Sequence, residues 1–230
     1  MSDKVLNSEM HTLYKKEIAE KKEVVDKEKS LYKITPKHTR FRFFVGAFHE
    51  RKRGLHAVFD ELKNAGEHDE LELIISSGGG SILEGQQFFN IMLEKFAGRT
   101  TAYLDNHGYS MGALLFSMCD KRVAYPYSDF MYHTYSGGAR GKGGELVAQI
   151  KHSSKKINKF FKDIIVGQGF LSHEEYKHML LGKDFWMGTK ELCKRGIATH
   201  VIVAGKEVTA KEYLKLIKEK KKAKKLDAKA

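Results

Sequence analysis

Between residues 41 and 118, short runs of β-branched and aromatic residues alternate with segments whose apolar residues recur every three or four positions. That alternation restricts the chain to an α/β fold, because each apolar face must be covered by a neighbouring layer. FRFFVGAF (41 to 48) reads as a strand, Leu55, Val58, Phe59 and Leu62 as a helix, and NAGEHDE as a loop. LELII (71 to 75) is a strand that runs straight into SSGGGS. Ile82, Phe88, Phe89, Met92 and Phe96 mark a second helix, TTAYL (100 to 104) a strand, and SMGALLFSM (110 to 118) an apolar helix that begins directly after a tight turn. RVAYP and DFMYH supply two more strand-like pieces, and a last helix (Thr189 to Arg195) leads into the strand GIATHVIV.

Two charged segments flank this core, so the spacing predicts three parts: residues 1–35, 36–205 and 206–230. The first places Leu6, Met10, Leu13, Tyr14 and Ile18 among Lys and Glu at helical spacing, an amphipathic helix with one thin apolar stripe. Pro36 ends it. The last is a Lys-rich helical tail with ten Lys against Glu207, Glu212, Glu219 and Asp227. It carries about half of the formal net charge of +12, so a solvated helix explains that charge as well as a nucleic-acid surface would, and nucleic acid is not the expected partner. Within the core, Gly143 to about Gly169 reads as one long helix with Leu146, Ile150, Ile157, Phe160, Phe161, Ile164 and Ile165 on one face. Such a face packs either on a second subunit or on its own core.

Hydrophobic residues make up 41% of the chain, yet no apolar run nears the roughly 18 residues a membrane span needs. The N-terminus lacks an apolar h-region, so a cytoplasmic, membrane-free protein is expected. Cys119 and Cys193 have neither C-x-x-C spacing nor a nearby His pair, so they read as core residues, and no metal or cofactor is expected.

Gly108-Tyr109-Ser110-Met111-Gly112 joins a strand to an apolar helix, which forces a sharp turn and presents Ser110 at a helix N-terminus. Backbone N–H groups there lack intrahelical partners and can stabilise an oxyanion. The same pattern occurs in ordinary turns. Ser76-Ser77-Gly78-Gly79-Gly80-Ser81 ends a strand, and its glycines let the backbone approach a ligand. No Lys-Ser/Thr closes it as a phosphate loop, which favours an oxyanion donor. A serine hydroxyl needs a base. His133 ends DFMYH ahead of Gly137-Gly138 and fits that part, or equally that of a core histidine. His49, His68, His152, His173 and His178 lie in charged segments expected to face solvent. Asp184, in Gly-Lys-Asp-Phe-Trp, stands beside aromatics that could shield it, or is a turn aspartate.

From about Arg42 to Val203 the chain resembles the caseinolytic protease ClpP family in motif order. LELIISSGGGSILEG is similar to its strand and S-P-G-G loop, HGYSMGALL to its A-S-M-G-A turn, MYHTYSGGARG to M-I-H-Q-P-x-G-G, and KDFWMGTKELCKRGIA to its D-x-x-M-S-A stretch. The resemblance implies Ser110 as nucleophile, His133 as general base and acid, and Asp184 as its orienting carboxylate. It also implies Gly80 and Met111 amides as oxyanion hole, and Gly79, Gly137 and Gly138 as substrate-binding backbone. The implied fold is a crotonase-like ββα spiral with the 143–169 helix as a handle. The implied activity is that of a serine endopeptidase cutting unfolded polypeptides or peptides inside a homo-oligomeric ring of seven or fourteen subunits, fed by a ring-shaped unfoldase ATPase. Gly78 replaces the family's proline, Tyr109 a small residue, and the two charged ends do not look like the family's short axial-loop segment. A phage-encoded member, working in the host cytoplasm, fits these departures.

Two other classes share features of the sequence. G-x-S-x-G is also the nucleophile elbow of α/β-hydrolase esterases, where a base such as His200 would follow Asp184. A non-catalytic scaffold or nucleic-acid binder would use the basic tail.

Overall fold

The structure, a computed structural model, describes residues 31–34, 38–48 and 53–227. The helix expected at the N-terminus falls largely outside these residues. Its final portion, Leu31–Ile34, is a strand (β1) paired antiparallel with β2 (Arg40–Val45), so Leu31 lies opposite Phe43. An edge strand satisfies the outer hydrogen-bonding groups of β2, which helical periodicity alone could not reveal.

β2, β3 (Glu70–Ser77), β4 (Thr100–Tyr109), β5 (Lys121–Ala124) and β8 (His200–Val203) form a parallel sheet in that spatial order. β9 (Lys206–Thr209) closes the far edge antiparallel to β8. Ala204 and Gly205, both at positive φ, make the two-residue turn between them. Helices α1 (Arg53–Lys63) and α2 (Ile82–Phe96) cover one face. Their phenylalanines meet those of β2: Phe88 lies 5.4 Å from Phe43 and stacks on Phe59 at 5.5 Å, and Phe41 meets Phe96 edge-on at 5.8 Å. α3 (Met111–Met118) is apolar almost all round and accordingly buried from Met111 to Ser117.

β4 is the branch point. Over 101–104 it pairs with β5, and over 107–109 with β6 (Asp129–Tyr132), which pairs antiparallel with β7 (Phe185–Gly188). Between the two halves the β3 register jumps from Ile75–Leu104 to Ser77–Gly108, so extra β4 residues, the exposed Asp105 and Asn106 among them, bulge out and turn the strand. β6 and β7 thereby branch off the end of β4 within one nine-stranded, largely parallel sheet, giving a mixed α/β fold.

α4 (Gly143–Ile165) has 23 residues, about 34 Å at 1.5 Å per residue. Its C-terminal half packs on the core through Phe161, Ile164 and Ile165, with Phe160 edge-on to Phe89 at 5.7 Å. Its N-terminal half projects, leaving Val147 and Ile150 exposed. Packing on its own core, one of the two modes read from the sequence, therefore holds for the C-terminal half. α5 (His173–Leu180), α6 (Thr189–Lys194) and α7 (Ala210–Asp227) complete the chain. Among the described residues no helix is long and apolar enough to cross a membrane.

Candidate active site

Ser110 sits at the β4–α3 junction with φ 54 and ψ −121, a left-handed conformation that a non-glycine residue adopts only under constraint. Both sides of the junction hold it. Its N–H donates to the Met131 carbonyl at 3.0 Å, and its own carbonyl accepts from the Leu114 N–H at 3.1 Å, the first bond of α3. The turn fits because Gly112 carries no side chain: a β-carbon there would stand 2.8 Å from Ser77 Cβ.

The glycine loop closes over this junction. Ser77 Oγ donates to the Gly46 carbonyl at 2.7 Å and accepts from the Gly79 N–H at 3.1 Å, which pins the loop's start. Phe48 bridges to its end: the Phe48 N–H donates to Gly79 O at 2.9 Å and the Ser81 N–H to Phe48 O at 2.8 Å. That pattern turns the Gly80 N–H away from Phe48. Gly80 has φ +139, and a β-carbon on it would overlap the Phe48 carbonyl oxygen at 1.9 Å, so the position requires glycine. Among the described residues neither the Gly80 nor the Met111 N–H has a protein acceptor. The loop meets the helix terminus at Gly79, which abuts Ser110 and the Met111 nitrogen. The Met111 side chain runs the other way, into the notch left by Gly85 of α2.

The strand register brings the remaining candidates to the same end. Tyr109 pairs with Met131, and Tyr132 with Phe185. One step further in each ladder lie Ser110, His133 and Asp184. His133 is half-buried, just past β6, while Asp184 is exposed. The expected aromatic shield over Asp184 is not formed: along β7 alternate residues face opposite ways, so Phe185 enters the core and Trp186 points outward. Among the described residues no hydrogen bond joins the three side chains. Gly137 and Gly138 lie exposed in a segment without regular secondary structure after His133. His68, His152, His173 and His178 are exposed, as expected. His49 lies outside the described residues.

One set of residues on this sheet escaped the sequence reading. The Tyr109 hydroxyl donates to Asp129 Oδ2 at 2.9 Å, and its ring contacts both His107 and Trp186. Burial and the Asp129 carboxylate push the Tyr109 hydroxyl above its ordinary pKa, so it remains a donor. The signal for this set was the i, i+2 spacing of His107 and Tyr109, visible only once β4 is known to continue past Leu104. Among the described residues no cluster of three His, Cys, Asp or Glu side chains could hold a metal ion.

Residues 53–205 match the family described as Clp protease. The ATP-dependent Clp protease proteolytic subunit 2 of Chlamydia trachomatis serovar D is 30% identical over 148 residues, 62% of this chain and 70% of that protein. Its Chlamydia muridarum counterpart is 29% identical, covering 63% and 71%. Proteolytic subunit 3 of Rhizobium meliloti is 24% identical, covering 63% and 73%. The chain belongs to the Clp protease family and is a peptidase, a hydrolase of peptide bonds.

Proposed function

We propose that the chain is a serine endopeptidase that cuts unfolded polypeptides or peptides with Ser110, His133 and Asp184. The observation that supports this is that four chain segments end at one side of the β4–β6–β7 ladder. Ser110 lies in a constrained turn at a helix N-terminus, a glycine loop is packed against it, and His133 and Asp184 both stand one residue beyond the Tyr132–Phe185 pair of the ladder.

In this reading His133 accepts the Ser110 hydroxyl proton as Oγ attacks the substrate carbonyl, and Asp184 orients the imidazole and stabilises its charged form. The negative charge that develops on the carbonyl oxygen is met by the Gly80 and Met111 N–H groups, which have no other acceptor among the described residues. His133 then gives its proton to the departing amine. A water molecule, deprotonated by the same imidazole, attacks the acyl ester on Ser110 and releases the acid product. The side chains must draw together from their resting separation, which substrate seating beside Gly137-Gly138 and Gly79 as an added strand can drive.

The relatives are subunits of an ATP-dependent protease. The projecting half of α4, with Val147 and Ile150 uncovered, suits a homo-oligomeric ring of seven or fourteen copies. A ring-shaped ATPase would be the partner in the cytoplasm. His200, the base an esterase would require, belongs to β8, on the far side of β5 from β4, with Nδ1 2.9 Å from Thr199 Oγ1.

Labelling with a fluorophosphonate tests the proposal. The intact protein is expected to take up one equivalent at Ser110, with Ser110→Ala and His133→Ala unlabelled and His200→Ala labelled like wild type. Absence of label on wild type in every assembly state would falsify the serine mechanism.

A further inference from the structure

α3 and β6 carry two of the groups that the acyl transfer needs, Ser110 just before the helix and His133 just after the strand. The two elements are tied twice. At the junction the Ser110 N–H donates to the Met131 carbonyl at 3.0 Å. Inside the core the Tyr132 hydroxyl meets Ser117 Oγ, which itself donates to the Ala113 carbonyl at 2.7 Å. The one proton of Ser117 is thus committed to Ala113, so Tyr132 is the donor of the pair. Tyr132 is 1% exposed and Ser117 2%, so no water can stand in for either partner. Burial pushes the Tyr132 hydroxyl far above its ordinary pKa, and it stays protonated. Phe130 holds the ring from the side, edge-on to Tyr132 at 4.8 Å and to Phe116 of α3 at 6.0 Å.

The surroundings of this bond are apolar, and an apolar side chain at 132 would fill the same space without fixing where β6 lies along α3. A hydrogen bond does fix it, because a buried donor that moves off its acceptor finds no other. Ser110, Ala113 and Ser117 stand at spacings of three and four along the helix and so share one face of it. His133 follows Tyr132 directly in the chain. A slip or roll of β6 large enough to break the Tyr132 bond therefore carries His133 with it, relative to the face that begins at Ser110. We propose that Tyr132, through its bond to Ser117, is a positioning residue that sets the place from which the His133 imidazole reaches Ser110. The inference rests on the serine-peptidase reading, in which His133 is the base for Ser110. Supporting shells of this kind, locked by packing and buried hydrogen bonds, are what hold reacting groups within a fraction of an ångström.

Tyr132→Phe removes the donor and strands no buried proton, because Ser117 Oγ keeps its bond to Ala113. Ser117→Ala alone would leave the Tyr132 hydroxyl buried without an acceptor, so the acceptor is removed only in the double variant Ser117→Ala/Tyr132→Phe. The test uses the full chain and a fluorophosphonate over a range of concentrations. It reads three quantities: the saturating rate of labelling, the half-saturating concentration and the equivalents bound at completion. Tyr132→Phe is expected to bind one equivalent, as wild type does, at a saturating rate lower by about tenfold and an unchanged half-saturating concentration. The double variant is expected to match Tyr132→Phe within about twofold, since its second change removes a bond already lost. A wild-type saturating rate in Tyr132→Phe overturns the proposal, whether or not fewer equivalents are bound; fewer equivalents at that rate would make the bond a matter of stability alone. A double variant much slower than Tyr132→Phe also overturns it, by placing the effect in the packing of α3. If wild type is labelled and Tyr132→Phe is labelled just as fast, the serine mechanism stands and the positioning role falls. No label on wild type removes the mechanism, and the positioning role with it.

Discussion

Gly79 stands so close to Ser110 that a β-carbon on it would come 2.6 Å from Ser110 Cβ, 3.0 Å from the Tyr109 carbonyl oxygen and 3.1 Å from the Met111 nitrogen. Its φ of +99 is also unsuited to a side chain. Gly79→Ala must therefore push the glycine loop off the α3 terminus, separating the Gly80 and Met111 amides that the proposed oxyanion hole brings together. A displacement on the order of 1 Å costs about 100-fold in rate at a positioned site. The expected outcome is a fall of that size in the rate of fluorophosphonate labelling, in a variant that still shows the far-ultraviolet circular dichroism of the parent. Labelling at the wild-type rate would show that the loop takes no part.

Ser110 itself is held at φ 54, and a non-glycine residue in so sparse a region costs about 1–3 kcal/mol. Glycine relieves that cost but loses more chain entropy on folding, a penalty of about 0.4–1 kcal/mol. Ser110→Gly is therefore expected to be more stable than Ser110→Ala by about 1 kcal/mol, read as a higher urea midpoint at equal protein concentration. Equal midpoints would mean that the turn is unstrained. Both variants lose the nucleophile, so the comparison isolates backbone conformation from chemistry.

The parts of the fold that were legible in the sequence are those where local pattern and burial agree. LELII, the apolar α3 and the 3–4 spacing of α4 each carry their environment in their own residues. The illegible parts are set by partners distant in sequence. Asp105, Asn106 and Gly108 are turn residues and predict an end of β4 at Leu104, yet the bulge carries the strand on to Tyr109 beside β6. β9 is mostly exposed and charged, with Lys206 and Glu207 at its start, so it read as tail; its pairing with β8 makes it a strand. Asp184 rests mostly on the resemblance, since the β6–β7 register that sets it and His133 at the same end of the ladder is encoded by no local spacing.

The two thiols are predicted to be inert in the native protein. Cys119 is 1% exposed and Cys193 6%, and burial pushes their pKa values up to about 12 and about 11. The reactive species is the thiolate, so at pH 7.5 neither sulfur is both ionised and reachable. Iodoacetamide is expected to add to neither residue in the folded chain within an hour and to both in 6 M guanidinium, as mass spectrometry would record. Rapid native labelling of Cys193 would mean that α6 opens readily.

Acid should attack the chain at Arg195. Its guanidinium donates to both Glu175 oxygens, Nη2 to Oε1 at 2.8 Å and Nη1 to Oε2 at 3.1 Å, and also to the Phe170 carbonyl at 3.1 Å. Glu175 further accepts the Ser172 N–H at 2.8 Å, capping α5, so a single carboxylate ties that helix to α6. The Arg195 hydrogen bonds, followed by the Ser172 N–H, hold the Glu175 pKa down to about 2. Because the folded value lies below the unfolded one of about 4.3, the stabilisation is fully present above that pH. It is lost as pH falls from about 4.3 toward 2. The pair is partly exposed, with side chains 31% and 25% accessible, so screening limits its contribution to about 1 kcal/mol. Glu175→Gln is expected to lower stability by about that amount at pH 7 and by progressively less below pH 4, where the wild-type carboxylate also becomes neutral. Thermal melts of both proteins between pH 7 and pH 2.5 should therefore converge at the acid end. Curves that stay parallel would place the contribution of Glu175 in packing and not in its charge.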